Sequence, residues 1–284
     1  MKTGLPHSIL VALGLLMGVL PQTAPKAAPV AVVVCYPGGP INEADANAAM
    51  TAMLRVIERV GDWPQNQFAS TFTVEPDQCR TLLTSQNPPF AITSLGLYLD
   101  QRKAQHLEPI VQPRMKGQAS EQYRILVQKG KFASLDALKG KTLGGTVFGE
   151  PDFLSRVVFA GKIDPANYFE VKPGKQALRA LRSLDRGEID AVLVNGQQYS
   201  ALSSLPLQST LEPVFTSDPI PLMGLVANTS ITTPEDRQRF EKALTATCSD
   251  PEGKKLCDLF GIDGFVSANK SAIEASVKRW EQAR

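Results

Sequence analysis

The sequence has 284 residues, which is enough for one large domain or two modest ones with apolar cores. Its 43% hydrophobic and 20% charged residues are typical of a globular protein and exclude a disordered chain. The formal net charge is +2 and no run of five like charges occurs. The sequence therefore contains no basic segment of the kind that binds nucleic acid or anionic membranes.

Residues 1–28 have the composition of a secretory signal peptide. Lys2 precedes an apolar run over residues 9–20, and small residues and prolines follow that run. The run is too short to span a bilayer but has the length of a signal h-region. We therefore predict export to the periplasm, with no membrane insertion once the signal is removed. No clean A-x-A motif marks the cleavage site, which we place within residues 24–28, and an uncleaved anchor stays open as the alternative.

Strand and helix patterns alternate through the first half of the chain. The β-branched run that opens the series is typical of a strand covered on both faces, and Asn42 can cap the helix that follows it. The predicted elements are strands at residues 30–36, 68–74, 89–94, 107–114 and 122–130 and helices at about 42–60 and 76–85.

The second half continues the alternation and ends in helices. Thr233 and Pro234 form a capping-box start for the first of the final helices. Repeated strand–helix units predict parallel, doubly wound sheets, whose ligands lie outside the carboxyl ends of the strands. The predicted elements are strands at 142–146, 168–174, 189–196, 212–217 and 221–228 and helices at 134–140, 150–160, 175–188, 233–244, 251–259 and 271–281.

The loops that directly follow predicted strands supply the candidate ligand-binding residues. Their hydroxyl, phenol, amide and carboxylate groups suit a small polar solute. Each has a purely structural alternative, because such residues also cap helices, cover sheet ends or join the core. The candidates are Tyr36, Thr93, Ser94, Thr146, Phe148, Glu150, Asp152, Asn195 and Gln197.

Four cysteines in an exported chain favour disulfides over free thiols or a metal site. Cys248 and Cys257 are separated by a turn between two helices, so we expect them to pair. Cys35 should end the first strand and Cys79 should begin the helix after the second, along the same sheet edge, so we expect a second pair there. The alternative is that one pair stays as buried thiols.

Three phrases of the second half carry a resemblance to a known family: "SLDALKGKT", "ALRSLDRGEIDA" and the strand that ends in Val194, Asn195 and Gly196. With them, the chain resembles the type II periplasmic solute-binding proteins of ABC transporters, in the phosphate/phosphonate/phosphite-binding branch. The resemblance covers most of residues 30–260. It implies an α/β clamshell of two doubly wound lobes joined by two hinge segments.

The resemblance also implies an organisation and a function. Lobe 1 would comprise residues 29–117 plus 218–284, and lobe 2 residues 118–217, with crossings near 114–122 and 217–222. The cleft between the lobes would close on a small-molecule solute, which an ABC transporter permease would receive. The same clamshell could instead serve as an extracytoplasmic sensor that acts on a membrane signalling partner.

The helix opening at residues 148–152 departs from the phosphonate-type pattern, in which a Ser/Thr-rich run holds the anion. A helix opening offers free N–H groups to an anion. Here Pro151 removes one donor, and Glu150 and Asp152 bring negative charge of their own. These acids predict a cationic or hydroxylated solute. Alternatively, they serve only to stabilise the first helical turn.

No constellation for catalysis is recognisable. Outside the signal the sequence contains a single histidine, His106, so neither an ordinary zinc site nor a Ser-His-Asp triad can be assembled from familiar patterns. The segment before Lys141 lacks the glycine that a P-loop requires, because Leu135 stands there. We therefore predict a binding protein without cofactor or metal rather than an enzyme.

Overall fold

A computed structural model of the chain describes Met1, residues 28–37 and residues 42–282. The predicted signal peptide falls almost entirely outside the described residues. Among the described helices, none combines the length and the hydropathy needed to cross a membrane.

The helices begin where the sequence offers local caps. The Asn42 side chain accepts a hydrogen bond from the Asp45 N–H, and Thr233 forms a capping box with Asp236, so both predicted helix starts are confirmed. The helices are α1 Glu43–Val60, α2 Pro76–Gln86, α3 Leu95–Gln101, α4 Pro151–Phe153, α5 Pro165–Tyr168, α6 Ala177–Asp185, α7 Gly196–Ala201, α8 Pro234–Thr247, α9 Pro251–Leu259 and α10 Lys270–Gln282. A π-helical turn, Leu154–Val158, continues α4, and short 3-10 turns occupy Asp136–Leu138 and Leu202–Ser204.

Most strands lie at their predicted positions, because their hydrophobic runs are bounded by turn residues, but β5 and β13 were not predicted and the final segment is therefore not wholly helical. They are β1 Val30–Cys35, β2 Phe68–Thr73, β3 Phe90–Ile92, β4 Leu107–Arg114, β5 Ser120–Glu121, β6 Arg124–Gln128, β7 Thr142–Gly145, β8 Glu170–Pro173, β9 Ala191–Val194, β10 Leu211–Thr216, β11 Ile220–Pro221, β12 Leu225–Asn228 and β13 Gly264–Ser267.

These strands build two separate sheets. The first has the order β13-β4-β12-β3-β1-β2 and the second the order β10-β6-β9-β7-β8. Helices accompany both sheets, which gives the two α/β lobes that the sequence predicts.

The sheets are mixed, so the expectation of wholly parallel sheets is wrong, most clearly for one interior strand of each sheet. β1 runs parallel to β2 and β3, and β7 runs parallel to β8 and β9. β12 and β6 run antiparallel to their neighbours. Each of these two strands enters its lobe from the other lobe. It therefore starts at the edge where the parallel strands end, and it runs the opposite way.

The chain crosses between the sheets twice. β5 and β11 lie on these crossings and pair antiparallel with each other, as a two-stranded ribbon between the sheets. The crossings fall within the predicted hinge segments. The exact domain bounds, 29–117 plus 218–284 and 118–217, stay a prediction.

Apolar packing joins the two lobes as well as filling each of them. One buried cluster contains Leu97 of the first lobe, Leu154 and Val157 of the second, and Trp280 of α10. The Arg156 guanidinium stacks over the Trp280 ring, 4.8 Å from its centroid. The lobes are therefore in direct contact beside the hinge.

Both predicted disulfides are confirmed. Cys35 is bonded to Cys79, with 5.7 Å between their Cα atoms, and Cys248 to Cys257, with 5.8 Å. The first bond fastens α2 to the end of β1, and the second closes the turn between α8 and α9. The alternative of a thiol pair is wrong, because no cysteine is free.

Candidate functional site

The tips of β1 and β9 bring the two lobes together at a tyrosine. Tyr36 follows β1, and its hydroxyl donates a hydrogen bond to Gln197 Oε1 at 2.9 Å. Gln197 lies in α7, directly after β9 of the other lobe. Tyr36 as a whole residue is 38% exposed, but burial of its hydroxyl, together with the Glu121 carboxylate, raises the pKa of this phenol to about 12. Two predicted residues thus meet across the interlobe contact.

A second bridge joins the tip of β3 to the start of α4. The Ser94 hydroxyl donates to Glu150 Oε1 at 2.7 Å, while Ser94 Oγ accepts the Leu97 N–H at 3.1 Å as the N-cap of α3. Glu150 as a whole residue is half-buried, but its carboxyl group lies against the start of α3 in the other lobe, where it accepts the Ser94 hydroxyl and closely approaches Gly96. Burial raises the pKa of Glu150 from 4.5 to about 7, against the lowering effect of the hydrogen bonds from Ser94 and Leu97.

Glycine makes this close approach of the lobes possible. A Cβ atom on Gly96 would lie 2.3 Å from Glu150 Oε1 and 2.9 Å from Phe153 Cβ. On the facing side, a Cβ on Gly149 would lie 3.0 Å from Pro76 Cγ. Residues 149 and 150 therefore pack directly against the first turns of α2 and α3 in the other lobe.

Two residues of the site were missed by sequence reasoning. Glu121 Oε2 accepts the Gly196 N–H at 2.9 Å, so the hinge strand holds the start of α7. Burial raises the pKa of Glu121, against the hydrogen bonds from Gly196 and Tyr123. Burial, and then the Glu121 carboxylate, raises the pKa of Tyr123 well above its usual range. The available signal was an acid within the predicted hinge segment 114–122, followed by a tyrosine at the start of the predicted strand 122–130, whereas the predicted site residues all come from loops after strands.

The remaining predicted residues have mixed placements. Thr93 is 2% exposed, and its Oγ1 has no hydrogen-bond partner among the described residues. Thr146 Oγ1 accepts from Gln198 Nε2 at 2.8 Å. Asn195 caps α7 in a capping box with Gln198. Phe148 is half-buried and packs against the cluster shared by the lobes.

Asp152 does not join its neighbour Glu150. Its side chain is 65% exposed, and its nearest charged partner is Arg156 on the next turn, at 3.5 Å. The sequence grouped the two acids as ligand-binding residues, whereas in the structure only Glu150 reaches the other lobe, and the binding role of Asp152 stays a prediction. Glu150 is the N-cap of α4 and reaches the other lobe. Asp152 lies in the first turn of α4, where its negative charge stabilises the positive end of the helix dipole.

Two surface pockets lie away from the interlobe hydrogen bonds at Tyr36 and Glu150, and the second of them lies at the carboxyl end of β8. One, of about 390 Å³, lies between β4, α8 and β13, and the other, of about 450 Å³, lies beside β8 and α6. None of the residues predicted to bind ligand lines either pocket. The interlobe contact is the candidate site, since strand tips of both lobes meet there and ligands of doubly wound folds bind at such tips. Within residues 28–37 and 42–282, no three His, Cys, Asp or Glu side chains are grouped to hold a metal ion.

Comparison with known proteins decides the family. The family model described as "ABC transporter, phosphonate, periplasmic substrate-binding protein" matches residues 42–273. The chain belongs to this family. It is therefore a periplasmic protein that binds a solute and delivers it to an ABC transporter. A search of curated proteins by sequence finds no match.

Solved structures agree on the fold. XAC2383 from Xanthomonas citri bound to ATP is 13% identical, with a TM-score of 0.70 over 91% of this chain and 98% of that one. A binding protein component of an ABC phosphonate transporter from Pseudomonas aeruginosa is 15% identical, with a TM-score of 0.66 over 90% and 89%. PhnD1 from Prochlorococcus marinus in complex with methylphosphonate is 14% identical, with a TM-score of 0.65 over 90% and 98%. At these identities the likeness establishes the two-lobed type II fold.

Proposed function

We propose that this substrate-binding protein captures a small polar solute where the strand tips of its lobes meet, and passes it to the permease of its transporter. The residues in contact with the solute would be those that face this point from both lobes. They are Tyr36, Thr93, Ser94, Thr146, Phe148, Glu150, Asn195 and Gln197, joined by Glu121 and Tyr123 of the hinge. Asp152 is left out of the set because it pairs with Arg156.

The chemistry of this set favours a cationic or hydroxyl-bearing solute over a phosphonate. Glu150 and Glu121 both direct carboxyl groups into desolvated surroundings. The hydrogen-bond partners of Glu150 and of Tyr36 are neutral groups, Ser94 and Gln197. Wherever these carboxyl groups are ionised, an oxyanion at this point would lie beside negative charge in a low-dielectric site, which is strongly unfavourable. Methylphosphonate and ATP, the ligands of the two relatives, are both phosphorus oxyanions.

The observation that carries the proposal is the hydrogen bond from Ser94 to Glu150. In this bond the Ser94 hydroxyl of lobe 1 donates to the Glu150 carboxyl group of lobe 2. The hydroxyl is therefore occupied by a carboxyl group rather than free to donate to an anionic ligand. A solute that donates hydrogen bonds or carries positive charge can share these oxygens, whereas an anion cannot. We further propose that the site performs no catalysis, since His106, the one histidine among residues 28–37 and 42–282, is exposed on the surface.

A thermal-shift screen of the purified protein tests the proposed solute class. Amines, polyols, phosphate and methylphosphonate are compared at concentrations up to a hundredfold above Kd, where a bound solute adds about 2.7 kcal/mol of stability. We expect an amine or polyol to stabilise the protein. Glu150→Gln should weaken a cationic solute by at least roughly tenfold, which corresponds to about 1.4 kcal/mol. The matched variant Asp152→Asn should leave the affinity unchanged.

Two outcomes would contradict the proposal. Stabilisation of the unmodified protein by methylphosphonate would show that the Glu150 carboxylate does not exclude anionic solutes. Equal loss of binding in both variants would show that general negative charge, rather than the Glu150 carboxyl group, attracts the solute.

A further inference from the structure

Glu150 is a titratable side chain whose surroundings depend on the relative position of the lobes. It is carried by the turn that starts α4 in lobe 2, and its bonded partner, Ser94, starts α3 in lobe 1. The two lobes pack closely here, because a Cβ atom on Gly96 would clash with the Glu150 carboxyl group. If the lobes move apart about β5 and β11, this carboxyl group passes from the lobe interface into water.

We propose that closure of the two lobes takes up a proton at Glu150, so that acidity favours the closed arrangement. The inference rests on the interlobe contact and does not require the solute to be known. It deepens the proposed function, because a cationic solute would compete with the proton for the same oxygens.

The charges around Glu150 do not supply a free counter-ion. On α2, Arg80 is engaged by Asp77 at 2.7 Å and by Asp100 of α3 at 2.8 Å. Tyr123, before β6, adds a phenol that is itself hard to ionise. α10 packs against Leu154–Val158 rather than against Glu150. The other charged groups of these elements are Asp152 and Arg156 after Glu150, and Lys270, Glu274, Lys278, Arg279 and Glu281 on α10.

The direction of the effect follows from linkage. In water Glu150 should titrate at its ordinary value of 4.5, while enclosure between the lobes raises its pKa to about 7. A group with a higher pKa in the closed state favours closure fully below the open-state pKa. That contribution is lost as the pH rises through the closed-state pKa. Between about pH 5 and about pH 8 the closed-to-open ratio should fall on the order of fifty-fold, for one proton.

Distance measurement between spin labels on the two lobes tests the proposal in solute-free protein. Ser85 in α2 and Ser203 near α7 are exposed and can be replaced by cysteine, since the four natural cysteines are bonded. We expect the fraction of short distances to rise as the pH falls. Glu150→Gln, which stays neutral, should abolish this pH dependence. Asp152→Asn, on the same turn but exposed, should keep it.

The proposal is overturned if the distances do not change with pH, or if Glu150→Gln responds to pH as the unmodified protein does. Should Glu150→Gln fail to fold, carboxyl carbon NMR of the unmodified protein gives the answer directly. A Glu150 midpoint near the ordinary value of an exposed glutamate would then refute it. Neither measurement involves a solute. If the proposed solute class is wrong, this test of proton uptake at Glu150 is therefore unaffected.

Discussion

Glu150 and Asp152 illustrate how little sequence proximity says about the role of a residue. Both are acids at the start of one helix, yet one reaches Ser94 of the other lobe and one pairs with Arg156 of its own helix. Residues two positions apart on a helix do not share a face. The pKa of Glu150 is raised because water is excluded from its carboxyl group where it meets the other lobe.

At the residue scale, Gly96 gives a direct test of the lobe contact. We expect Gly96→Ala to reduce solute affinity by roughly tenfold or more, since overpacking of a close contact costs about 1–3 kcal/mol. The new methyl group would press on Glu150 Oε1 and on Phe153 Cβ of the other lobe. Affinity can be measured by calorimetry and fold stability by urea unfolding, and we expect the loss chiefly in affinity.

Gly174→Ala is the matched control for this substitution. Its Cβ would meet only the Gly145 carbonyl oxygen, at 3.6 Å, which is an ordinary contact. Unchanged affinity in Gly96→Ala would mean that solute binding does not require the lobes to meet at α3.

At the element scale, α7 shows how a helix start can position a site residue. Sequence reasoning offered Asn195 as an amide for the solute, with helix capping as a general alternative for such residues. The structure uses its side chain to accept the Gln198 N–H at 2.9 Å, which fixes the turn that carries Gln197. Glu121 holds the same turn through the Gly196 N–H. The start of α7 is therefore held from both its own cap and the hinge.

Replacement of the cap separates these two roles of Asn195. We expect Asn195→Ala to cost about 1 kcal/mol of unfolding free energy and to weaken solute binding through Gln197. Asn195→Ser retains a capping oxygen and should keep most of the unfolding free energy and most of the solute affinity. Urea unfolding and calorimetry measure the two quantities. If the serine variant loses binding as fully as the alanine variant, Asn195 contacts the solute directly.

At the scale of the whole molecule, the two disulfides close loops of very different length. Cys35 and Cys79 are 44 positions apart, and Cys248 and Cys257 are 9 apart. In the chain-entropy account the longer loop stabilises more, about 4 kcal/mol against about 2.6 kcal/mol. We therefore expect Cys35→Ser with Cys79→Ser to lower the unfolding free energy more than Cys248→Ser with Cys257→Ser. A reversed order in urea unfolding would mean that local packing around α8 and α9 outweighs loop closure.

Features that depend on neighbouring residues were predictable from the sequence. The starts of α1 and α8 follow from Asn42 and Thr233, because a cap acts on N–H groups two or three positions away. The cysteine pairs followed once the strand and helix ends were placed. The two-lobed architecture came from family phrases in the second half, rather than from periodicity.

The features that only the tertiary structure decided join distant parts of the chain. Ser94 and Glu150 are 56 positions apart, and Tyr36 and Gln197 are 161 apart. Strand direction in β6 and β12 likewise depends on where the chain enters each lobe. The sequence by itself thus determined the elements, the disulfides and the set of loops at the strand tips. Which of their side chains meet was decided by the packing of one lobe against the other, because desolvation and hydrogen bonding across that contact have no local signature.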